Sequence, residues 1–524
     1  MVLSARSHEE NCDMKLVSRR RFLTTTASAA PALLIRQSPV RFSTNPFTLG
    51  VASGYPLPDG FVIWTRLAPS PLLGGGMDPA SVLVDWEVAT DDRMANVVRR
   101  GTALATADWA HSVHVELKGL EADRWYWYRF HAGNEESVVA RSRTAPVVDS
   151  VPDRLRFAFA SCQHYEVGYY AAYRHMVEDD PDLIIHLGDY IYESDSRPKI
   201  RRHAAPEPVT LDDYRNRYAE YKSEPDLQAA HAACPWLVTW DDHEVDNDYA
   251  NLVSEQLRPR EWFRRRRAAA YQAFYEHMPL RSNQTPLGEH LPLYTNVRFG
   301  QLAEFQVLDD RQYRSPQVCP NPAEGGSAFV SDCPERLDPS LTLLGEAQEA
   351  WLFRNLDRSE ARWNVLAQQT LMAEHDRTPG EGTSFWTDGW DGYPAARARL
   401  LDFLAERKPE NPLVIGGDVH AFWVCDLETD FRDEHALPVA SEIVGSSITS
   451  RSNLTAEQGE ALRRDNPHVH YANGETKGYV VVELDQREAI ASLRGLDDVT
   501  DADSAIATIA TFVIEDGRPG LQRA

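Results

Sequence analysis

Leu183-Ile184-Ile185-His186-Leu187-Gly188-Asp189-Tyr190-Ile191-Tyr192-Glu193 is the stretch that decides the fold. A short apolar run that stops at Gly-Asp reads as a buried strand with a polar end, since it is too brief for a helix. The pattern recurs on either side. Arg156 to Ala160 runs into Ser161-Cys162-Gln163, and Trp236 to Trp240 runs into Asp241-Asp242-His243-Glu244, with Asn247 shortly after. Leu413 to Ile415 runs into Gly416-Gly417-Asp418-Val419-His420. Other short apolar strands are predicted at Ala303 to Leu308, Asn364 to Ala367, Glu442 to Val444 and Tyr479 to Leu484. Helical segments are predicted over 168–179, 211–231, 258–276, 345–357 and 393–406. Strands alternating with helices make an α/β core, in which ligands gather beyond the carboxyl ends of strands. Alone, each strand end says little, because an Asp after Gly is ordinarily a turn residue and a lone apolar-context Cys is ordinarily core. Several core strands delivering carboxylate, thiol or imidazole to one edge point to a shared metal site.

Upstream, residues 46–145 read as all-β. Phe61 to Trp64, Val82 to Val88, Val113 to Leu117 and Trp125 to Phe130 are short strands between turn residues, suggesting an immunoglobulin-like sandwich. Val147 to Arg154 reads as a linker, and a catalytic domain is expected over 155–515.

Residues 1–40 carry a targeting pattern. Ser18-Arg19-Arg20-Arg21-Phe22-Leu23 precedes an uncharged stretch to Ile35 and resembles the twin-arginine export motif. That stretch is shorter than the roughly 20 residues needed to span a bilayer. A periplasmic or secreted protein, handled by the twin-arginine machinery, is therefore expected. The net charge of −25 argues against a nucleic-acid-binding surface. It also means that a phosphate-bearing substrate must be attracted locally, most simply by bound cations. Of six cysteines, Cys319 and Cys333 lie in a Pro-, Gly- and Ser-rich loop and are expected to pair once exported. Cys234 and Cys425 read as buried thiols.

Together, Gly188-Asp189, Asp242-His243-Glu244 and Gly417-Asp418-Val419-His420 resemble the blocks of calcineurin-like metallophosphoesterases. Ser161-Cys162-Gln163, Gly188 to Glu193, Trp240 to Glu244, Leu308 to Arg314 and Phe47 to Gly54 are similar to the alkaline phosphatase D (PhoD-type) family, in order, from about residue 46 to near 490. The resemblance implies two packed β-sheets flanked by helices and phosphate mono- or diester hydrolysis by a metal-activated water. It also implies metal ligands at Cys162, Asp189, Tyr192, Asp242, Asn247, Asp418 and His420. Cys162 stands where the superfamily's first block, Asp-x-His, has its carboxylate, and Gln163 departs from that block. A thiolate and a phenolate, with Asp189 and His420, suit Fe3+, while the remaining oxygen donors suit Ca2+. Residue types alone leave zinc and manganese open. His243 is expected as the proton donor to the leaving group, with Glu244 orienting it. Arg311 is either a phosphate contact or the partner of a local Asp. A phospholipase D-like phosphodiesterase would use the same site, and a binding protein with a degenerate metal site is the non-enzymatic alternative.

Overall fold

The computed structural model describes residues 40–321, 325–378, 380–433 and 435–524. Apart from Val40, the export segment read at residues 1–40 lies outside them.

Two β-sheets pack face to face. The larger has ten strands, in the spatial order Arg518–Arg523, Ile506–Glu515, Glu488–Leu496, Gly478–Asp485, Arg154–Ala160, Leu183–His186, Trp236–Val238, Val51–Leu57, Gly60–Arg66 and Ser112–Glu116. Its centre is parallel, with His186 opposite both Ala160 and Val238. The second sheet has seven strands, and four of them (Ala303–Val307, Trp363–Ala367, Pro412–Gly416 and Ala440–Val444) are mutually parallel neighbours. Phe157 of the first sheet meets Phe305 of the second edge-on at 5.3 Å, inside a shared core that also holds Val480, Val365 and Ile415. Buried on both faces, these strands are continuous apolar runs, which is why they stood out in the sequence. Helices cover the outer faces: Leu211–Lys222 and Arg260–His277 on the first sheet, Glu346–Arg358 and Pro394–Arg407 on the second.

The helix expected over 211–231 is two helices. Leu211–Lys222 starts at a Thr210–Asp213 capping box, and Pro225–Ala233 begins on its proline, which lacks the N–H needed to continue the first helix.

The N-terminal all-β region supplies strands to two sheets. Val82–Ala89, Val97–Ala105, Trp125–Ala132, Glu135–Glu136 and Ala140–Arg143 form one. Val51–Leu57, Gly60–Arg66 and Ser112–Glu116 extend the large catalytic sheet, with Gly54 paired in parallel to Trp236. A core of Phe61, Ile63, Val84, Val88, Tyr128 and Phe130 lies between these layers. The region is thus a two-layer arrangement that shares one layer with the catalytic core. The expected disulfide joins Cys319 to Cys333, and Cys162, Cys234 and Cys425 are free and buried.

Candidate metal centre

The central strands stop together. Beyond their ends the chain turns sharply, and Cys162, Asp189, Asp418 and His420 all have positive φ, between 54° and 62°. Non-glycine residues rarely adopt this region, and where they do the surrounding fold holds them there, often at functional sites. Gly188 (φ 111°) could not carry a side chain, because a Cβ would lie 2.5 Å from Asp241. The first two turns are tied together by Cys162 N–H to Gly188 O and Gln163 N–H to Asp189 O. A parallel bridge from Ser161 to Ser447 fastens the two sheets beside them. Gln163 is fully buried and donates from Nε2 to Tyr190 O, so the residue that departs from the superfamily pattern is a strut.

The donors converge in three overlapping groups. Cys162, Asp189 and His420 have ligand atoms within 4.8 Å of one another, as do Asp189, Asp242 and His243, and then Asp242, Asp248 and Asp388. Tyr192 joins the first group: its OH donates to Asp189 Oδ2 at 2.7 Å and sits 3.1 Å from His420 Nε2. Ser450 Oγ donates to the same phenol oxygen at 2.7 Å. His420 Nδ1 lies 2.8 Å from Arg451 O. A carbonyl only accepts, so that nitrogen carries the proton and Nε2 keeps its lone pair for the cluster.

Buried acids this dense need positive charge. Arg311, 1% exposed, is ion-paired with Asp241, lies 2.7 Å from Asp388 Oδ2 and 3.6 Å from Asp242 Oδ2. Against the pull of burial, Arg311, His243 and the Asp248 N–H hold Asp242 below the usual carboxylate range. Elsewhere compensation is missing. Burial first, and then Asp189, pushes the Cys162 thiol and the Tyr192 phenol up. Burial, with Asp242 and Asp388 outweighing the opposing pull of Arg311, raises Asp418. Asp189 Oδ1 and Asp418 Oδ2 are buried with no hydrogen-bond partner among the described residues. A cation among these atoms would supply what they lack, and a thiol, a phenol, an imidazole and carboxylates are the donor types metals take.

His243 Nδ1 lies 2.6 Å from Glu193 Oε2. Although burial opposes it, Glu193, Asp189 and Asp242 raise the imidazole well above its ordinary value. Glu193, not Glu244, therefore orients His243. The Glu244 carboxylate accepts from the N–H groups of Asp189, Tyr190 and Asp241, at 3.1, 2.6 and 2.8 Å, and so sets two strand-end turns. Arg311 takes the local-acid role rather than a phosphate contact. Of the two other acids that follow Glu244 in the chain, Asp246 is buried against Arg266 and Asp248 belongs to the third acid group. His468 is buried with Nε2 2.7 Å from Glu374 O. Asp388 and Ser450 were missed, because they come from loops far along the chain with no strand-end signal.

Asp189, Asp242, His243, Asn247, Asp418 and His420 line one cleft of about 670 Å³, with Cys162 and Tyr192 buried behind it. Asn247 donates its N–H to Glu193 and its Nδ2 to Glu255, which leaves its amide oxygen uncommitted among the described residues. No lining residue comes from beyond Leu462, and the C-terminal strands sit at the far edge of the large sheet.

The sequence matches the family model of the PhoD-like phosphatase over residues 157–493 and that of the PhoD-like phosphatase N-terminal domain over 31–146. Alkaline phosphatase D of Bacillus subtilis (strain 168) is 45% identical over 507 residues, 95% of this chain and 86% of the relative. A solved structure of PhoD superposes with a TM-score of 0.88 at 46% identity, covering 93% of each chain.

Proposed function

Because this chain belongs to the PhoD-like phosphatase family and is a phosphoric ester hydrolase, we propose that it cleaves phosphate mono- and diesters at a centre of one trivalent and one or more divalent cations. Cys162, Asp189, Tyr192 and His420 would hold Fe3+. Asp189, Asp242, Asn247 and Asp418 would hold Ca2+. The observation that carries this reading is the pair of buried, unpartnered carboxylate oxygens, Asp189 Oδ1 and Asp418 Oδ2, beside a buried thiol and phenol. Cations held by these residues would supply Lewis-acid activation of water and stabilisation of charge on the phosphoryl group. The chain's own groups do the rest. Glu193 fixes His243 through Nδ1, so the Nε2 proton is the one available to the leaving oxygen. Arg311 holds Asp241, Asp242 and Asp388 in place and, against burial, favours the ionised form of Asp242 and Asp388.

Export by the twin-arginine route belongs to the same proposal. It rests on Arg19-Arg20-Arg21-Phe22-Leu23 and is supported by a Cys319–Cys333 disulfide, which suits an oxidising compartment. No helix among the described residues is long and apolar enough to cross a membrane.

The test compares hydrolysis of p-nitrophenyl phosphate, bis-p-nitrophenyl phosphate and a phosphatidylcholine vesicle by wild-type and Asp189→Asn protein. Cleavage of the first two by wild type alone is expected. Cleavage of the phospholipid only would replace this reading with the phospholipase D-like one, and an active Asp189→Asn variant would defeat both.

A further inference from the structure

A cleft for phosphate in a chain of net charge −25 needs a cation that is free to meet the anion. Arg311, the arginine nearest the acids, is already held by three carboxylates. Two other guanidinium groups line the cleft. Arg451 is occupied by Ser196 Oγ at 2.9 Å and Pro198 O at 2.6 Å. Arg377 differs: among the described residues its guanidinium has no hydrogen-bond or ion-pair partner, and aromatic faces flank it, with Asp391 and Asp418 near enough to act through space.

We propose that Arg377 is the anion-receiving group of the cleft, meeting the phosphoryl oxygens with its outer N–H edge while Phe329 and Trp386 fix its plane.

The platform is built for that role. The short strands Phe329–Val330 and Phe385–Trp386 are antiparallel, with Phe329 directly opposite Trp386. Arg377 lies 5.0 Å from the Phe329 ring centroid and 5.8 Å from that of Trp386. Its backbone N–H donates to Ser384 O at 2.9 Å, and Asp376 accepts from the N–H groups of Thr378 and Ser384, so the segment is anchored at its base. Trp386 Nε1 donates to Ser327 Oγ at 2.9 Å. The Cys319–Cys333 disulfide staples the loop that carries Phe329. Two residues past Trp386 comes Asp388, a member of the acid cluster, so platform and metal side share one short segment. Asp391 and, on the metal side, Asp418 are within electrostatic reach of the guanidinium. A planar fork stacked on rings has little freedom left to lose and matches two phosphate oxygens at once. Phe329, 64% exposed, also gives the cleft an apolar face.

This inference rests on the phosphoesterase reading above. Metal-loaded wild type, Arg377→Gln and Arg377→Lys would be compared for KM and kcat on p-nitrophenyl phosphate and for binding of inorganic phosphate by calorimetry. Arg377→Gln should raise KM and weaken phosphate binding in parallel, each by about 10- to 100-fold, the loss expected when a charge-assisted contact is removed. Arg377→Lys should recover only part, because an ammonium lacks the fork. Metal content and melting temperature should stay at wild-type values, which a purely structural arginine would not allow alongside lost phosphate affinity. Unchanged phosphate affinity in either folded variant overturns the assignment. A wild type that hydrolyses no phosphoester overturns the function instead, so the two failures are distinguishable.

Discussion

At the scale of single residues, Asp189 is the hinge of the site, because it belongs both to the thiol–phenol–imidazole group and to the group with Asp242 and His243. Tyr192 bears on the identity of one ion. If it ligates Fe3+, the purified protein should show a visible charge-transfer absorption that disappears in Tyr192→Phe; a colourless, active wild type would contradict that ligand. His243 bears on the leaving group. Removing a general acid costs about 10²- to 10⁴-fold, so His243→Ala should lose most on an alkyl phosphate and least on p-nitrophenyl phosphate, whose leaving oxygen needs no proton. Equal losses on both would remove His243 from that role. Cys162, Asp189, Asp242, Asp418 and His420 stood out as candidates in the sequence because they lie just beyond apolar strands. The orienting carboxylate was not: Glu244 is adjacent to His243 in the chain, yet Glu193, fifty positions earlier, is adjacent in space. Asp388 gave no signal for the same reason, since its partners Asp242, Asp248 and Arg311 come from distant segments.

At the scale of elements, the strand-end turns do the positioning, and their sharpness has a measurable consequence. Gly188→Ala would meet both left-handed strain and the Asp241 backbone at 2.5 Å, whereas Gly74, with a similar sign of φ, has nothing within 4 Å. Gly74→Ala should therefore cost only the strain, about 1–2 kcal/mol, and Gly188→Ala clearly more, with activity falling too. Urea denaturation of the two variants checks this, and equal stabilities would show that the Gly188 turn yields. Core strands and most helices were readable because burial on both faces leaves uninterrupted apolar runs, and their ends moved by only a few residues. The break at Ser223-Glu224-Pro225 was less visible, since Leu211–Lys222 and Pro225–Ala233 differ by one short turn. The sharing of Val51–Leu57 with the catalytic sheet was hidden altogether, because pairing across nearly two hundred residues leaves no local trace.

At the scale of the whole molecule, that shared sheet makes the N-terminal region part of the catalytic core. Deleting residues 40–146 would strip Val51–Leu57 from Trp236–Val238 and expose its edge, so the remainder should be insoluble or unfolded by circular dichroism. A folded, active remainder would show two independent units. Acid should also weaken the fold. Burial pushes His186 down to about 3 and His468 to about 4. Below the ordinary value of about 6.5, the unfolded chain takes up protons that the folded one refuses, so stability is lost as pH falls from there toward 3–4. Between pH 7 and 4.5 the unfolding midpoint of His468→Asn should therefore gain on that of wild type, since the variant lacks this histidine's loss. All of this serves one arrangement, in which two sheets bring carboxylates and an imidazole to one cleft, with a thiol and a phenol buried behind it. The most direct measurement is elemental analysis of the purified enzyme paired with phosphoester hydrolysis before and after chelation. Iron together with a hard divalent metal is expected, with activity lost on stripping and restored on reloading. Full activity in metal-free protein would contradict it.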